Sequence, residues 1–354
     1  MKKVVALVLS IMMALSLAAC GGNGASSAGA EQSAASASSS AVKPIKLVCA
    51  HGYPSTSDEQ KYLTWIADEL EKRTDGAITM TCVSDGQMGS ESEIEAQTVS
   101  GVIDVTLGEG SAWADVVGVP SLGVFGLPYL YTSLSGLKNA GLNDVKDNCE
   151  QIFEQNKIGL KAFEPFSGGL RGVWTINKPI RHPSDLSGLK IRVPEIKLFV
   201  DTLADMGASP TTIAFTEVYT ALSQGVVEGL EIDADTGAKN NLQEVCKYYT
   251  HTNHLGSLNI ICMNLKRWNS LTPEQQKIFS DLVTEAASKQ YDEREKNIGT
   301  SEQTMKDAGM EIIDMTAEEI ASLTAAVKPI WEQYRNDYGV GDIIDQLSAA
   351  GAQQ

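Results

Sequence analysis

Between residues 45 and 107 the sequence switches repeatedly between two hydrophobic periods, and this switching narrows the fold more than any other feature. Ile45-Lys46-Leu47-Val48-Cys49-Ala50 is a short apolar run of strand type. Ser57, with Gln60 three residues on, supplies a capping box for a helix in which Leu63, Ile66, Ala67 and Leu70 recur at helical spacing. Asp75-Gly76 turns the chain into a second strand, Ala77 to Val83. A helix over 91–100 ends at Gly101, and Val102-Ile103-Asp104-Val105-Thr106-Leu107 returns to strand. Strand–helix–strand–helix–strand order needs crossover connections, so it predicts an α/β fold: a parallel sheet, helices on its faces and right-handed links.

The same alternation continues. Leu160 to Phe163, Gly172 to Ile176 and Lys190 to Val193 are strand candidates, followed by helices over 195–206 and from Thr216 to Ser223. Gly101-Val102-Ile103-Asp104 is echoed by Gly225-Val226-Val227-Glu228, as a duplicated lobe would produce, although four residues also match by chance. Thr272-Pro273-Glu274-Gln275 joins an N-cap, a first-turn proline and a capping glutamine. The helix it opens can run to Gly309, about 35 residues, long enough to cross two lobes. Thr316 with Glu319 starts one more, carrying Ile320, Leu323, Val327 and Ile330.

The first forty residues carry a different signal. Lys2 and Lys3 precede an apolar run from Val4 to Leu17, of the length of a signal segment and short for a membrane span. Leu17-Ala18-Ala19-Cys20 reads as a lipobox, with cleavage before Cys20 and lipid on its thiol; the plainer alternative is a secretory signal that ends near a cysteine. Residues 21–42, mostly Gly, Ala and Ser, cannot build a core and read as a flexible tether. Signal peptide 1–19, lipidated Cys20 and linker 20–43 together predict an extracytoplasmic body anchored on the outer face of the cell membrane. That body is large enough for two α/β lobes, and no later stretch approaches twenty apolar residues.

Charge and chemistry-bearing residues narrow the function. The formal net charge is −17, and −19 without residues 1–19, which hold Lys2 and Lys3 and no acid. Such a surface argues against nucleic acid and gives an anionic ligand no long-range attraction, so an acid bound here must meet local positive charge. After Cys20 there are Cys49, Cys82, Cys149, Cys246 and Cys262, an odd set without a CxxC. Cys49 and Cys82 lie in apolar strand-like runs, which favours buried free thiols, with disulfides the alternative outside the membrane. His251 and His254 form an HxxH without a third ligand in reach, so no metal and no cofactor are expected. The motifs of nucleotide binding, serine hydrolysis and metalloproteolysis are absent, which leaves enzyme chemistry without a candidate residue. Arginine informs by scarcity. Arg192 sits inside the apolar strand Lys190-Ile191-Arg192-Val193, and Arg171 starts another. At the end of a central strand such a side chain faces the crevice where open α/β sheets bind ligands, and its fork matches a carboxylate. The competing reading is a structural ion pair with an acid.

Pro183-Ser184-Asp185-Leu186-Ser187-Gly188-Leu189-Lys190-Ile191-Arg192-Val193-Pro194 closely resembles the signature of DctP-type solute-binding proteins of TRAP (tripartite ATP-independent periplasmic) transporters. Further matches follow in that family's order: Gly86-Gln87-Met88-Gly89, Phe125-Gly126-Leu127-Pro128-Tyr129, Gly207-Ala208-Ser209-Pro210, Phe215-Thr216-Glu217-Val218-Tyr219 and Gly225-Val226-Val227-Glu228-Gly229-Leu230-Glu231. The resemblance covers residues 45–340. It implies a two-lobed periplasmic-binding-protein-like fold, lobe I near 44–168 and 257–296, lobe II near 169–256 and 297–345, with the ligand cleft between them and a long helix spanning both. It implies a carboxylate clamp at Arg192, a supporting arginine at Arg171, and cleft positions at Glu109, Glu195 and Phe215; His51 is a further candidate for ligand binding. Ile232 stands where the family often has Asn, so Asp233 is expected to take a ligand hydroxyl contact, which suits a sugar acid. The implied partners are a small organic acid and the transporter's membrane subunits, with the chain a monomer. A sensor for the same acids, or a secreted lipoprotein enzyme, are the competing functions.

Overall fold

The computed structural model describes residues 44–352, so the signal segment, Cys20 and the whole of the tether lie outside the described residues. Ten strands among those residues form one mixed sheet: β1 (Ile45–Ala50), β2 (Ile78–Val83), β3 (Val105–Glu109), β4 (Leu160–Ala162), β5 (Phe166–Thr175), β6 (Lys190–Val193), β7 (Ser209–Thr212), β8 (Gly229–Ile232), β9 (Tyr248–Asn264) and β10 (Glu311–Asp314). The order is β2-β1-β3-β9-β5-β8-β6-β7, with β4 and β10 also on β9. β1 pairs in parallel with β2 and β3, and β6 with β7 and β8, as crossover helices require. The purely parallel sheet expected from the alternation gives way at the centre, where β9 runs antiparallel to β3, β4 and β5, and β5 antiparallel to β8.

β9 is the element that joins the halves. Its start pairs with β10 and the end of β5, and its last residues pair with β3 and β4. The β5–β9 register slips between Ser167 and Gly169 and again between Arg171 and Val173, and such bulges bend a strand as it changes direction. Glycine is required along this crossing. A Cβ on Gly172 would lie 2.5 Å from the Tyr249 hydroxyl and 2.6 Å from the Thr250 carbonyl, and Gly169 has φ +80°.

Two cores flank the crossing. One packs Leu47, Val105 and Ile261 against Leu63, Ile66 and Leu70 of the helix Asp58–Arg73 and against Phe279, Leu282 and Val283. The other packs Trp174, Leu230 and Tyr249 with Val218, Leu222 and Met305. The helix Pro273–Asp307, 35 residues long and started by the Thr272–Gln275 capping box, contributes Phe279 to the first core and Met305 to the second. The fold is therefore two-lobed, with one helix reaching both lobes.

Two local expectations are corrected. The third strand begins at Val105 rather than Val102, because Gly101 turns left-handed (φ 83°) and the N–H groups of Val102 and Ile103 both donate to Gln97 O, closing the helix Glu91–Ser100. The helix begun by Thr316 stops at Ala326 and restarts as Lys328–Asn336, because Pro329 lacks the N–H and the room that a continuous helix needs.

Candidate functional site

β6 is short and buried, and alternation along it sets the site. Ile191 and Val193 enter a third core, with Trp113, Phe125 and Phe199, while Arg192, between them, borders the cleft. Arg192 is 2 % exposed, yet it makes no ion pair among the described residues. Its Nε–H donates to Ile213 O at 2.8 Å, and its guanidinium carbon stands 5.8 Å from the Phe215 ring centre. Burial lowers its pKa to about 10, Glu231 and Glu91 oppose that, and Arg171 adds to it. The group thus stays cationic at neutral pH, and among the described residues neither Nη atom makes a hydrogen bond to the protein.

Arg171 is placed differently. Its Nε donates to Glu231 Oε2 at 2.5 Å, and its Nη2 to Oε1 and to the Glu231 carbonyl, each at 2.9 Å. Burial disfavours its charge, but the Glu231 carboxylate outweighs that and raises its pKa. Of the two alternatives left open by sequence, ion pair or free fork, Arg171 takes the first and Arg192 the second.

Arg192 borders a chamber of about 320 Å³ walled by Tyr53, Glu91, Pro194, Glu195, Ile196 and Phe215. Tyr53, Glu91, Arg192 and Phe215 also border a recess of about 50 Å³ that reaches Glu109, Arg171, Phe199 and Ile232. The hydroxyl of the half-buried Tyr53 donates to Asn259 Oδ1 at 2.7 Å. Glu91 Oε1 accepts from the Glu109 N–H at 2.7 Å. The Ser257 hydroxyl donates to Glu109 Oε2, while Glu109 Oε1 is buried without a partner. Burial pushes Glu109 up to about 7, against the Ser257 hydrogen bond and Arg171, with Glu91 adding to the rise. Burial raises Glu91 and Glu95 as well. The arrangement sets a guanidinium without an ion-pair partner among the described residues beside carboxyls whose pKa values burial raises, and it suits an anion that also carries hydroxyl groups.

The structure brings Arg192, Arg171, Glu109, Glu195 and Phe215 to these two linked spaces. It does not bring His51 or Asp233 there. His51 is 1 % exposed, with Nε2 at 2.8 Å from Gln60 Oε1 and Nδ1 accepting from the Tyr53 N–H, so it holds the loop that presents Tyr53. Asp233 follows Ile232, and the strand pleat sends successive residues to opposite faces. Ile232 therefore meets the recess, while Asp233 caps the helix Ala234–Lys239 through the Thr236 N–H and accepts from Arg294 Nη1 at 3.3 Å. Sequence reasoning missed Tyr53, Glu91, Ser257 and Asn259. For Glu91 a signal existed: it lies two residues after Gly86-Gln87-Met88-Gly89 and inside the Ser90–Glu93 capping box, so it sits in the first turn of a helix whose start is fixed. The five cysteines after Cys20 are free thiols, Cys82 half-buried and the others buried.

Comparison with known proteins shows the family. Residues 49–337 match the profile of DctP, bacterial extracellular solute-binding protein, family 7. Protein YiiZ of Salmonella typhimurium, itself uncharacterized, is 31 % identical over 77 % of this chain and 82 % of its own. The C4-dicarboxylate-binding periplasmic protein DctP of Rhodobacter capsulatus is 26 % identical over 88 % of this chain and 92 % of its own. A TRAP periplasmic solute binding protein of Pseudomonas putida F1, solved with bound D-glucuronate, superposes with a TM-score of 0.79 at 27 % identity, covering 88 % of this chain and 98 % of that one.

Proposed function

The chain belongs to the DctP family of extracytoplasmic solute-binding proteins of TRAP transporters, and from that premise we propose that it captures a hydroxylated carboxylic acid, a hexuronate first, on Arg192. The observation that carries the reading is a buried arginine with no acid partner among the described residues, standing in the wall of the chamber with only its Nε bonded to protein. A desolvated cation is costly to leave unpaired, and a ligand carboxylate is the partner that relieves the cost. Arg171 is held rigid by Glu231 and supports the field from behind. Glu91 and Glu109 offer acceptors to hydroxyl groups, and Ile232 closes the recess with an apolar wall. The chamber's volume of about 320 Å³ is at the low end for small-molecule sites, which run from about 300 to 1,000 Å³. That the relative from Pseudomonas putida was solved with D-glucuronate supports the same class.

Delivery follows in this reading. The two lobes close on the acid about the β5–β9 crossing, and the closed protein presents it to the membrane subunits of the transporter. A lipid on Cys20 and the Gly/Ala/Ser tether keep the body at the outer face of the membrane. The test is calorimetric titration of the purified chain with D-glucuronate, D-galacturonate and succinate. Micromolar binding of either hexuronate, with succinate weak, is the expected result; tight binding of succinate alone overturns the choice of class.

A further inference from the structure

β1 and β2 are parallel neighbours whose register sets Cys49 beside Cys82. Register partners on adjacent strands project from the same face, and strands stand about 4.8 Å apart, inside the roughly 4.4–6.8 Å Cα separation that a disulfide spans. The shared face is the one that Leu47 and Met80 present to the helix Asp58–Arg73. The neighbouring Cys82 thiol, together with burial, raises the pKa of the Cys49 thiol. Exposure separates the two: Cys49 is fully buried, while Cys82 is half-buried on the outermost strand of the sheet. A half-exposed thiol with a buried one beside it is the layout of an attacking cysteine and its resolving partner. The compartment matters too, because an extracytoplasmic protein meets disulfide oxidants that a cytoplasmic one does not.

We propose that Cys49 and Cys82 form a redox modification site, closed to an intramolecular disulfide by a small or protein-borne disulfide oxidant. The Cys82 thiolate attacks one sulfur of the oxidant, forming a mixed disulfide and releasing one thiolate. Cys49 gives up its proton and attacks the Cys82 sulfur, expelling the second thiolate. The protein loses two electrons and two protons, and the oxidant leaves as two thiols. β1 runs into Gly52 and Tyr53 and β2 into Asp85 and Gly86, and these two loops are already joined by Asp85 N–H to Tyr53 O at 2.8 Å and Gly86 N–H to His51 O at 3.3 Å. Gly52, Tyr53 and Gly86 wall the chamber, so the bond would tie that wall covalently at its base.

The test treats the reduced full-length chain, under native conditions, with oxidised glutathione and maps the peptides by mass. The expected product is a Cys49–Cys82 linked peptide lacking two hydrogens, with Cys149, Cys246 and Cys262 still thiols. Cys49→Ser is expected to stop at a glutathione adduct on Cys82, and Cys82→Ser to leave Cys49 unmodified. A wild-type chain that accumulates the Cys82 adduct without the linked peptide, that stays wholly reduced, or that links these residues only in denaturant overturns the proposal. Because the wild-type chain alone decides the result, a serine variant that fails to fold does not obscure it.

Discussion

Replacing Arg192 by alanine tests how much of ligand capture one side chain carries. Its Nε is already bonded to Ile213 O, so the two Nη groups are what a carboxylate can take. Two charge-assisted hydrogen bonds contribute about 3–6 kcal/mol together, and each 1.4 kcal/mol is about tenfold. A micromolar ligand is then expected to weaken by about 10²–10⁴-fold in Arg192→Ala, to the edge of calorimetric detection or past it. The fold is expected to survive. The substitution orphans one carbonyl at Ile213, but it also removes a desolvated charge that Arg171 repels, and the two effects oppose each other. Arg192→Lys keeps a charge but not the fork, and is expected to bind more weakly than wild type. The assay is titration of each variant with the tightest acid of the hexuronate panel, with urea unfolding beside it. Near-wild-type affinity in a folded Arg192→Ala protein would refute the clamp.

Other outcomes follow from the same packing. Glu109 has a folded pKa of about 7 against an ordinary 4.5, so between those values the folded state holds a proton that the unfolded state has lost. Its contribution is therefore full below pH about 4.5 and is lost as pH rises through about 7, a swing of about 3 kcal/mol; the urea stability of Glu109→Gln relative to wild type should rise by that amount between pH 5 and 8, and a constant difference would count against it. Glu231→Ala leaves Arg171 charged and unpaired in the interior, with an expected loss of about 3–5 kcal/mol in urea unfolding. Asp233→Ala removes a helix cap and a partner of Arg294, so stability should fall by at least about 1 kcal/mol while affinity for the acid holds; a large affinity loss with unchanged stability would return Asp233 to the ligand.

What could be read from the sequence was local. The 35-residue helix announced itself through Thr272, Pro273 and Gln275, and β6 through a charged residue set between two apolar ones. Alternation sets Arg192 on the face opposite Ile191 and Val193, but whether that face met a ligand cleft or an acid partner needed the structure. β9 was not legible, because Tyr248 to His254 is largely polar, breaks its alternation at bulges and holds Asn253 at φ 45°. A strand that crosses between lobes has both faces covered and no single periodic face to display. The Arg171–Glu231 pair spans 60 residues of sequence and exists only once β5 lies beside β8. Asp233, one residue past the end of β8, caps the helix that follows, a role that the sequence reading of a ligand contact did not include.

The measurement that bears most directly on the central claim is a crystal structure of the protein grown with D-glucuronate. The account predicts the sugar's carboxylate in the plane of the Arg192 guanidinium, its two oxygens each about 2.8 Å from a nitrogen of that group, and hydroxyl groups toward Glu91 and Glu109. A carboxylate seated elsewhere, with the Arg192 nitrogens left to water, would contradict it.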